Sequence, residues 1–344
     1  MNDDDSLKVA IIGAGQIAGG YDENRSLEDG GTYTHACAYT NNPHFDLACI
    51  FDLNYQKALR FQDYWHVKHC ALSIREIYDT PYDVVSVCTP DVTHFEIIKS
   101  LLSNRCCKVI YAEKPLAEIP GQISEITSLS KETGIHVVVN FQRRFDSLYS
   151  QLRSLVQKDN CQLLTMNALY MKGLDHSGIA MIDMITNICG YPNKILTFNR
   201  SYNKEINEYS YDFILYYDNF NVTVKSIDSD IHGYTYHIFE LDMLLSDRRI
   251  ILNDNSRQCE VKEISNYAYS GVKILNDNNP VKTETGYKQS IWQATEYINN
   301  IICNNTAHVI NTPQQSYNDA LIAAAIKESY AKREEMVTGP NIWQ

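Results

Sequence analysis

Gly13-Ala14-Gly15-Gln16-Ile17-Ala18 follows directly on the apolar run Leu7 to Ile12, and no other feature narrows the fold as much. The spacing is G-x-G-x-x-[G/A] between a strand and a helix. Gly13 permits a tight turn, Gly15 lets the backbone approach a pyrophosphate, and the small Ala18 lets helix and strand pack closely. The helix start then offers outward N–H groups to phosphate through Gly13, Gly15, Gln16 and Ile17.

The rest of the first 140 residues extends the pattern. Phe45 to Phe51, Asp83 to Cys88, Cys106 to Ala112 and Ile135 to Asn140 read as further strands. Asn54 to Tyr64, Thr93 to Ser103 and Ile123 to Thr133 read as the helices between them. Continuous apolar strands alternating with helices specify a parallel sheet covered on both faces. Beyond residue 150 the texture changes to strands joined by turns: Gln162 to Tyr170, Ile195 to Arg200, Tyr211 to Tyr217, Phe220 to Ser226, Tyr236 to Leu244 and Arg248 to Leu252. Asp218-Asn219 and Ser246-Asp247 read as hairpin turns. Tyr287, Ile291, Ala294, Ile298 and Ile301 recur at helical spacing, and a last helix is expected from about Ser316 to Glu335. The 344 residues therefore divide into α/β first and α+β second. The expected bounds are 1–125 plus the strand at about 135–140, then 145–310, then a terminal helix in 311–344 packing back on the first domain.

A dinucleotide needs an acidic residue at the end of the next strand for the adenosine ribose. Asp52 occupies that place, 39 residues after Gly13. Taking Tyr21 to Thr34 as a 14-residue polar insertion restores a spacing of 25. An Asp here would repel a 2′-phosphate, which favours NAD over NADP. The competing reading of Asp52 is a helix N-cap, and one residue could serve both ends.

Ligands of open α/β sheets bind beyond the carboxyl ends of the strands. Those ends read Thr89-Pro90-Asp91-Val92-Thr93-His94, then Glu113-Lys114-Pro115, then Phe141-Gln142-Arg143-Arg144-Phe145. Together with the glycine turn and a helix near residue 180, this ordered set resembles the glucose–fructose oxidoreductase and inositol dehydrogenase (Gfo/Idh) family. The resemblance covers most of the chain, weakly between about 195 and 285. It implies a doubly wound Rossmann domain followed by a large, open, mainly antiparallel sheet. It also implies hydride transfer between a nicotinamide and a ring carbon of a carbohydrate, with Lys114 beside the nicotinamide. A lysine is a poor base in water, but desolvation or a nearby cation makes it a useful one. The bland alternative is a surface lysine at a loop start. His94 and Glu113 would flank the nicotinamide ribose, with Thr89 and Pro90 shaping its pocket. His94 also fits a ligand-free first helical turn. Arg144 would bind a substrate oxygen, although paired arginines often anchor salt bridges.

The second-domain motif departs from the family. Asp183 and Gly190 set its register, which puts His176 where an Asp is usual and Ala180 where a His is usual. Either His176 takes over as proton shuttle, or the chemistry is weakened and the chain is a retired enzyme that still binds nucleotide. Redox-neutral sugar chemistry with tightly held NAD is a third reading. Lys172 and Asp183 are the remaining expected substrate contacts, Asp183 serving equally well as a helix anchor.

Composition sets the outer limits. Forty-two acidic against thirty basic residues leave a net charge of −12, which disfavours nucleic acid and anionic membranes as partners. No apolar run approaches the roughly 18 residues that span a bilayer. The acidic start, Met1 to Ser6, is unlike a secretory signal, so the ten cysteines are expected to be reduced in a cytoplasmic protein. His66, His69 and Cys70 are too few for a metal shell, and none is expected. A Tyr-rich open sheet would seek a partner, so a homodimer or homotetramer is expected.

Overall fold

The computed structural model describes residues 6–23, 30–157, 162–204, 206–228, 237–269, 272–275, 280–304 and 310–338. Tyr236, the centre of the expected insertion (residues 24–29) and the last six residues lie outside them. The chain forms two compact units, Met1–Asp146 with Lys288–Tyr317, and Ser147–Tyr287 with Asn318–Gln344.

The first unit is built on six parallel strands: β1 (Leu7–Ile12), β2 (Phe45–Phe51), β3 (His69–Cys70), β4 (Val84–Val87), β5 (Val109–Ala112) and β6 (His136–Val139). Their order is β3-β2-β1-β4-β5-β6, so the direction of winding reverses between β1 and β4. All four residues of β4 and of β5 are buried, as double coverage of the sheet requires. Short helices α1 (His35–Thr40), α2 (Tyr55–Trp65), α3 (Ile74–Tyr78), α4 (His94–Asn104) and α5 (Pro120–Thr133) connect the strands. Their ends follow local chemistry. The Asn54 side chain accepts the Lys57 N–H to start α2, and Pro120 opens α5, which Gly134 closes at φ +73°.

The second unit starts with α6 (Ser147–Val156), β7 (Leu163–Met171) and α7 (Ile179–Cys189). Strands β8 (Lys194–Asn203), β9 (Glu208–Tyr216), β10 (Asn221–Ile227), β11 (Phe239–Leu245), β12 (Arg248–Asn253), β13 (Gln258–Tyr269), β14 (Val272–Leu275) and β15 (Val281–Glu284) follow. They form a mainly antiparallel sheet in which, among the described residues, β7 and β10 are the one parallel pair. Turns at Asp218-Asn219 and Ser246-Asp247 join antiparallel neighbours. The Tyr217 N–H closes the first of these turns on the Phe220 carbonyl at 3.0 Å.

Helical returns at the end of the chain differ from expectation. The helix belonging to the first unit is α8 (Ser290–Asn304), inside the stretch assigned to the sheet domain. Its Ile291, Ala294, Ile298 and Ile301 join Ala36, Tyr39 and Val9 in one core, and Asn42 donates to Thr295 Oγ1 at 3.0 Å. The last helix, α9 (Pro313–Lys332), lies from Asn318 onward in the second unit. There the Thr197 N–H bonds Ser329 Oγ at 2.9 Å, and β16 (Met336–Val337) pairs with β8. The Ala-rich stretch of α9 thus packs within the second unit, where Ile322 and Ile326 are fully buried and the Ile326 carbonyl accepts the Thr197 hydroxyl at 2.8 Å.

Candidate active site

The carboxyl edge of the parallel sheet extends one residue past its strands. Gly13 N–H bonds Phe51 O at 2.7 Å, Cys88 N–H bonds Ile12 O at 2.8 Å, Glu113 N–H bonds Val87 O at 3.0 Å and Asn140 N–H bonds Ala112 O at 2.8 Å. Gly13, Cys88, Glu113 and Asn140 therefore stand in one row, and the candidate residues are displayed along it.

Gly13 has φ +96°, and a Cβ there would meet the Cys88 carbonyl oxygen at 2.6 Å. Only glycine meets both conditions. At Gly15 the nearest atom to such a Cβ is the same oxygen at 3.8 Å, so the space beside it is open to a ligand. Ala18 is fully buried against the core.

The helix expected after this turn is split. One turn forms, the chain leaves it, and His35 returns with its N–H on Ile17 O at 3.2 Å while Ala36 bonds Ala18 O at 2.8 Å. With the fourteen residues 21–34 taken out, both bonds become the i to i+4 bonds of one helix. Within the excursion, buried Asp22 accepts the Tyr33 N–H at 3.0 Å and the Thr34 hydroxyl at 2.8 Å.

Asp52 closes β2 and does more than cap. Its Oδ2 accepts the Ala14 N–H and its Oδ1 the Asn54 N–H, each at 2.8 Å. The N-cap of α2 is Asn54, so the capping alternative passes to the neighbour. Each carboxylate oxygen keeps acceptor capacity for a hydroxyl.

Glu113 is the focus of a buried network that the sequence did not reveal. Its Oε1 takes the Asn140 amide at 2.6 Å and lies 2.8 Å from His35 Nε2. His35 Nδ1 lies 3.2 Å from Ser86 Oγ, which lies 2.9 Å from the Tyr39 hydroxyl. Tyr111 donates to Asn140 Oδ1 at 2.6 Å. Burial pushes the Glu113 carboxyl upward, but His35, Asn140 and the nearby Lys114 together hold it below its ordinary range. Half-buried Lys114 follows, joined to Pro115 by a cis peptide bond.

Other expected cofactor contacts are placed differently. His94 is fully buried, with Nδ1 2.7 Å from Pro115 O and Nε2 2.8 Å from Thr89 O. The ring is enclosed between these two backbone carbonyls, of which a neutral imidazole can donate to one, so its surroundings favour the ligand-free first-turn reading of His94. The ring ties the Lys114-Pro115 loop to the end of β4. Thr89 receives the Thr93 hydroxyl at 2.8 Å, while Pro90 and Gln16 are exposed at the same edge. Arg144 lies in a 3-10 turn, Gln142–Phe145, after β6.

In the second unit, β7 leads into a wide helical turn, Gly173–Gly178, before α7. Lys172 at φ 66° and Gly173 at φ 77° reverse the backbone there. Glu208 on β9 accepts the N–H groups of Asp175 and His176. Burial pushes its carboxyl up to about 7, against the pull of those two donors. Asp175 is paired with Lys327 at 2.5 Å, His176 is exposed, and Asp183 is buried on α7. Nothing in the sequence pattern linked Glu208 to this turn, since 32 residues separate it from His176.

Among the described residues, no group of three or more His, Cys, Asp and Glu could hold a metal ion, and no helix is long and apolar enough to cross a membrane. His69 instead faces Glu76 at 3.0 Å.

Residues 7–141 match the model of an oxidoreductase family with an NAD-binding Rossmann fold, the Gfo/Idh/MocA family. Over that stretch the chain is similar to the NAD-binding domain of this family. Among curated relatives, the uncharacterized oxidoreductase YrbE of Bacillus subtilis strain 168 is 24% identical over 152 residues, 44% of this chain and 40% of its own. D-glucoside 3-dehydrogenase of Escherichia coli K12 is 28% identical over 158 residues, 44% of this chain and 39% of its own. The chain thus spans about two-fifths of the length of these curated relatives. The solved structure of levoglucosan dehydrogenase in complex with NADH and L-sorbose superposes with a TM-score of 0.75 at 16% identity, covering 96% of this chain and 98% of that one. That likeness extends the common fold through both units.

The residues of this NAD-binding-like domain fit a dinucleotide. The turn at Gly13 cannot hold a side chain, the flank of Gly15 is open, and the Asp52 carboxylate stands one strand away. Pyrophosphate would rest on Gly13 to Ala18 and the adenosine ribose on Asp52.

Proposed function

We propose that the protein is an NAD-dependent dehydrogenase or reductase acting on a CH–OH carbon of a sugar, nucleotide sugar or cyclic polyol. The observation that carries this reading is the row of strand ends, which puts Glu113-Lys114 two strands from the glycine turn on the same edge. The dehydrogenase and sugar names among the relatives support the class of substrate. The preference for NAD over NADP rests on Asp52, whose charge opposes a 2′-phosphate.

When bound, the nicotinamide supplies the hydride acceptor or donor. Lys114 handles the proton: as a neutral amine it takes the hydroxyl proton of the carbinol while the C–H bond gives up its hydride and the C=O bond forms. The reverse steps return the proton from the ammonium. The negative charge of Glu113 beside Lys114 favours the ammonium, the form that donates the proton in the reductive direction, while the cationic oxidised nicotinamide would favour the neutral amine, and Thr89 and Pro90 border the same edge. Arg144 is proposed as a substrate contact. In the second unit, Lys172, His176 and Asp183 are proposed as contributors to substrate recognition. A homodimer or homotetramer through the open sheet is part of the proposal, since Phe198 and Leu244 are 48% and 36% exposed there. A monomer by light scattering at micromolar concentration removes that part.

Ala180, where the family usually carries a histidine, favours a second reading in which the chain binds nucleotide without turnover. Absorbance at 340 nm across a carbohydrate panel separates the two. Net NADH formation supports the dehydrogenase. Cofactor that stays bound and turns over without net change supports redox-neutral chemistry. Nucleotide binding with no chemistry on any substrate supports the retired enzyme.

A further inference from the structure

The buried chain Tyr39–Ser86–His35–Glu113 has no part in the proton transfer assigned to Lys114, yet it ends at the carboxyl edge where the cofactor reading places the nicotinamide. Every member can donate in one direction. The Tyr39 hydroxyl gives to Ser86 Oγ, the Ser86 hydroxyl to His35 Nδ1, and His35 Nε2–H to Glu113 Oε1. Asn140 adds its amide to the same oxygen, and its own carbonyl is held by Tyr111. His35, Ser86 and Tyr39 are fully buried, so water does not compete for these bonds. Both hydrogen bonds described for the Glu113 side chain fall on Oε1, which leaves Oε2 as the oxygen that can face a ligand.

A buried carboxylate without donors would take up a proton. Here two directed N–H groups offset that tendency and the carboxyl stays below its ordinary range. The structure has therefore invested four elements, β4, β5, α1 and the end of β6, in keeping one negative charge at the end of β5. With the adenosine ribose on Asp52 and the pyrophosphate at Gly13, the other half of a dinucleotide extends over the ends of β4 and β5. The nicotinamide ring carries a positive charge when oxidised and none when reduced, while the phosphates are the same in both forms.

We propose that Glu113 sets the preference of this site for the oxidised dinucleotide over the reduced one, and that His35 is the positioning residue that holds Glu113 in the required charged state. The proposal rests on the dinucleotide reading of the site, but not on which substrate is used. A fixed anion favours the cationic ring by Coulomb attraction in a site of reduced polarity. His35 acts only through Glu113, and Ser86 only through the orientation of the His35 ring.

The test is a pair of titrations of the full chain, NAD+ by calorimetry and NADH by fluorescence, alongside thermal melting. In Glu113→Gln, which keeps shape and loses charge, the ratio of NAD+ to NADH affinity is expected to fall about tenfold. His35→Ala is expected to shift the ratio the same way. His35→Gln, whose amide nitrogen can still donate to Oε1, is expected to keep the ratio within about twofold of wild type. A structural lesion weakens both nucleotides together and leaves the ratio alone. An unchanged ratio in Glu113→Gln, with wild-type binding of both nucleotides intact, overturns the proposal and leaves the cofactor reading standing. A wild-type protein that binds neither nucleotide overturns both. Should His35→Ala fail to fold, the isosteric Glu113→Gln and the Gln variant of His35 carry the decision.

Discussion

Asp52 Oδ2 accepts the Ala14 N–H at 2.8 Å, so the residue that closes β2 also fixes the turn that closes β1. One carboxylate therefore serves two ends, the scaffold of the phosphate turn and the proposed ribose contact. Asp52→Ala is expected to destabilise the protein by about 1.5–3 kcal/mol, the worth of a hydrogen bond to a charged group. It is also expected to weaken NAD more than NADP, because the repulsion of a 2′-phosphate is removed. Chemical denaturation and parallel titrations of the two nucleotides check both effects. A variant that binds NAD as tightly as wild type removes Asp52 from the cofactor site.

Gly13 and Gly15 are expected to separate folding from binding. Ala at Gly13 meets both a left-handed backbone at φ +96° and the Cys88 carbonyl at 2.6 Å. Backbone strain alone costs about 1–3 kcal/mol, and the collision adds to it. Ala at Gly15 meets nothing closer than 3.8 Å, so its melting temperature should stay near wild type. Its methyl group would occupy the space assigned to a phosphate, and NAD affinity should fall. Melting curves and NAD titrations on both variants decide it, and equal melting temperatures would contradict the structural distinction.

Removal of residues 21–34 is expected to give a folded chain. His35 and Ala36 already bond the carbonyls of Ile17 and Ala18, so the deletion joins two pieces of a helix whose ladder exists. NAD affinity should remain within about threefold, because the glycine turn lies before the excised stretch and the rejoined helix keeps its ladder. The excursion also bonds Lys288 O through Thr32 N–H at 2.8 Å, and that anchor is lost. A deletion variant that is insoluble, or that no longer binds NAD, shows the insertion to be part of the fold.

Glu208 makes a pH-dependent contribution of known sign. Its carboxyl titrates near 7 in the folded chain against 4.5 ordinarily, chiefly through burial. Between those values the folded state holds more protons than the unfolded one, so this contribution to stability falls as pH rises through the window. Glu208→Gln mimics the protonated form and keeps an oxygen for the Asp175 and His176 N–H groups. Its melting temperature relative to wild type should therefore be near zero at about pH 4 and increasingly positive toward about pH 8. A difference that does not change with pH would remove burial as the cause.

Much of the first unit is legible in the sequence because its strands are dry on both faces. Leu7–Ile12 and Phe45–Phe51 emerge with the bounds expected, each apolar but for one charged residue near its start, Lys8 or Asp46, and each followed by glycine or aspartate. The split helix hides in the same region. A polar excursion interrupts its 3.6-residue period, so no pattern in the sequence marks His35 as the partner of Glu113. Strands β13 to β15 carry charges where alternation would show, and Glu260 is held by Lys262 and Lys282 at 3.4 and 3.3 Å. The edge of the sheet is thus stabilised by ion pairs that leave no hydrophobic pattern. Glu208 and the turn at His176 meet through tertiary structure alone, and no periodicity encodes that.

The central claim, proton transfer by Lys114 in a nucleotide-dependent oxidation, is tested most directly by Lys114→Ala. NADH formation at 340 nm is measured with wild type and variant on whichever carbohydrate of the panel the wild type turns over, alongside NAD titration of both. Turnover is expected to fall by at least about a hundredfold, the usual contribution of a positioned acid or base, while NAD binding persists. Wild-type turnover in Lys114→Ala would contradict the account.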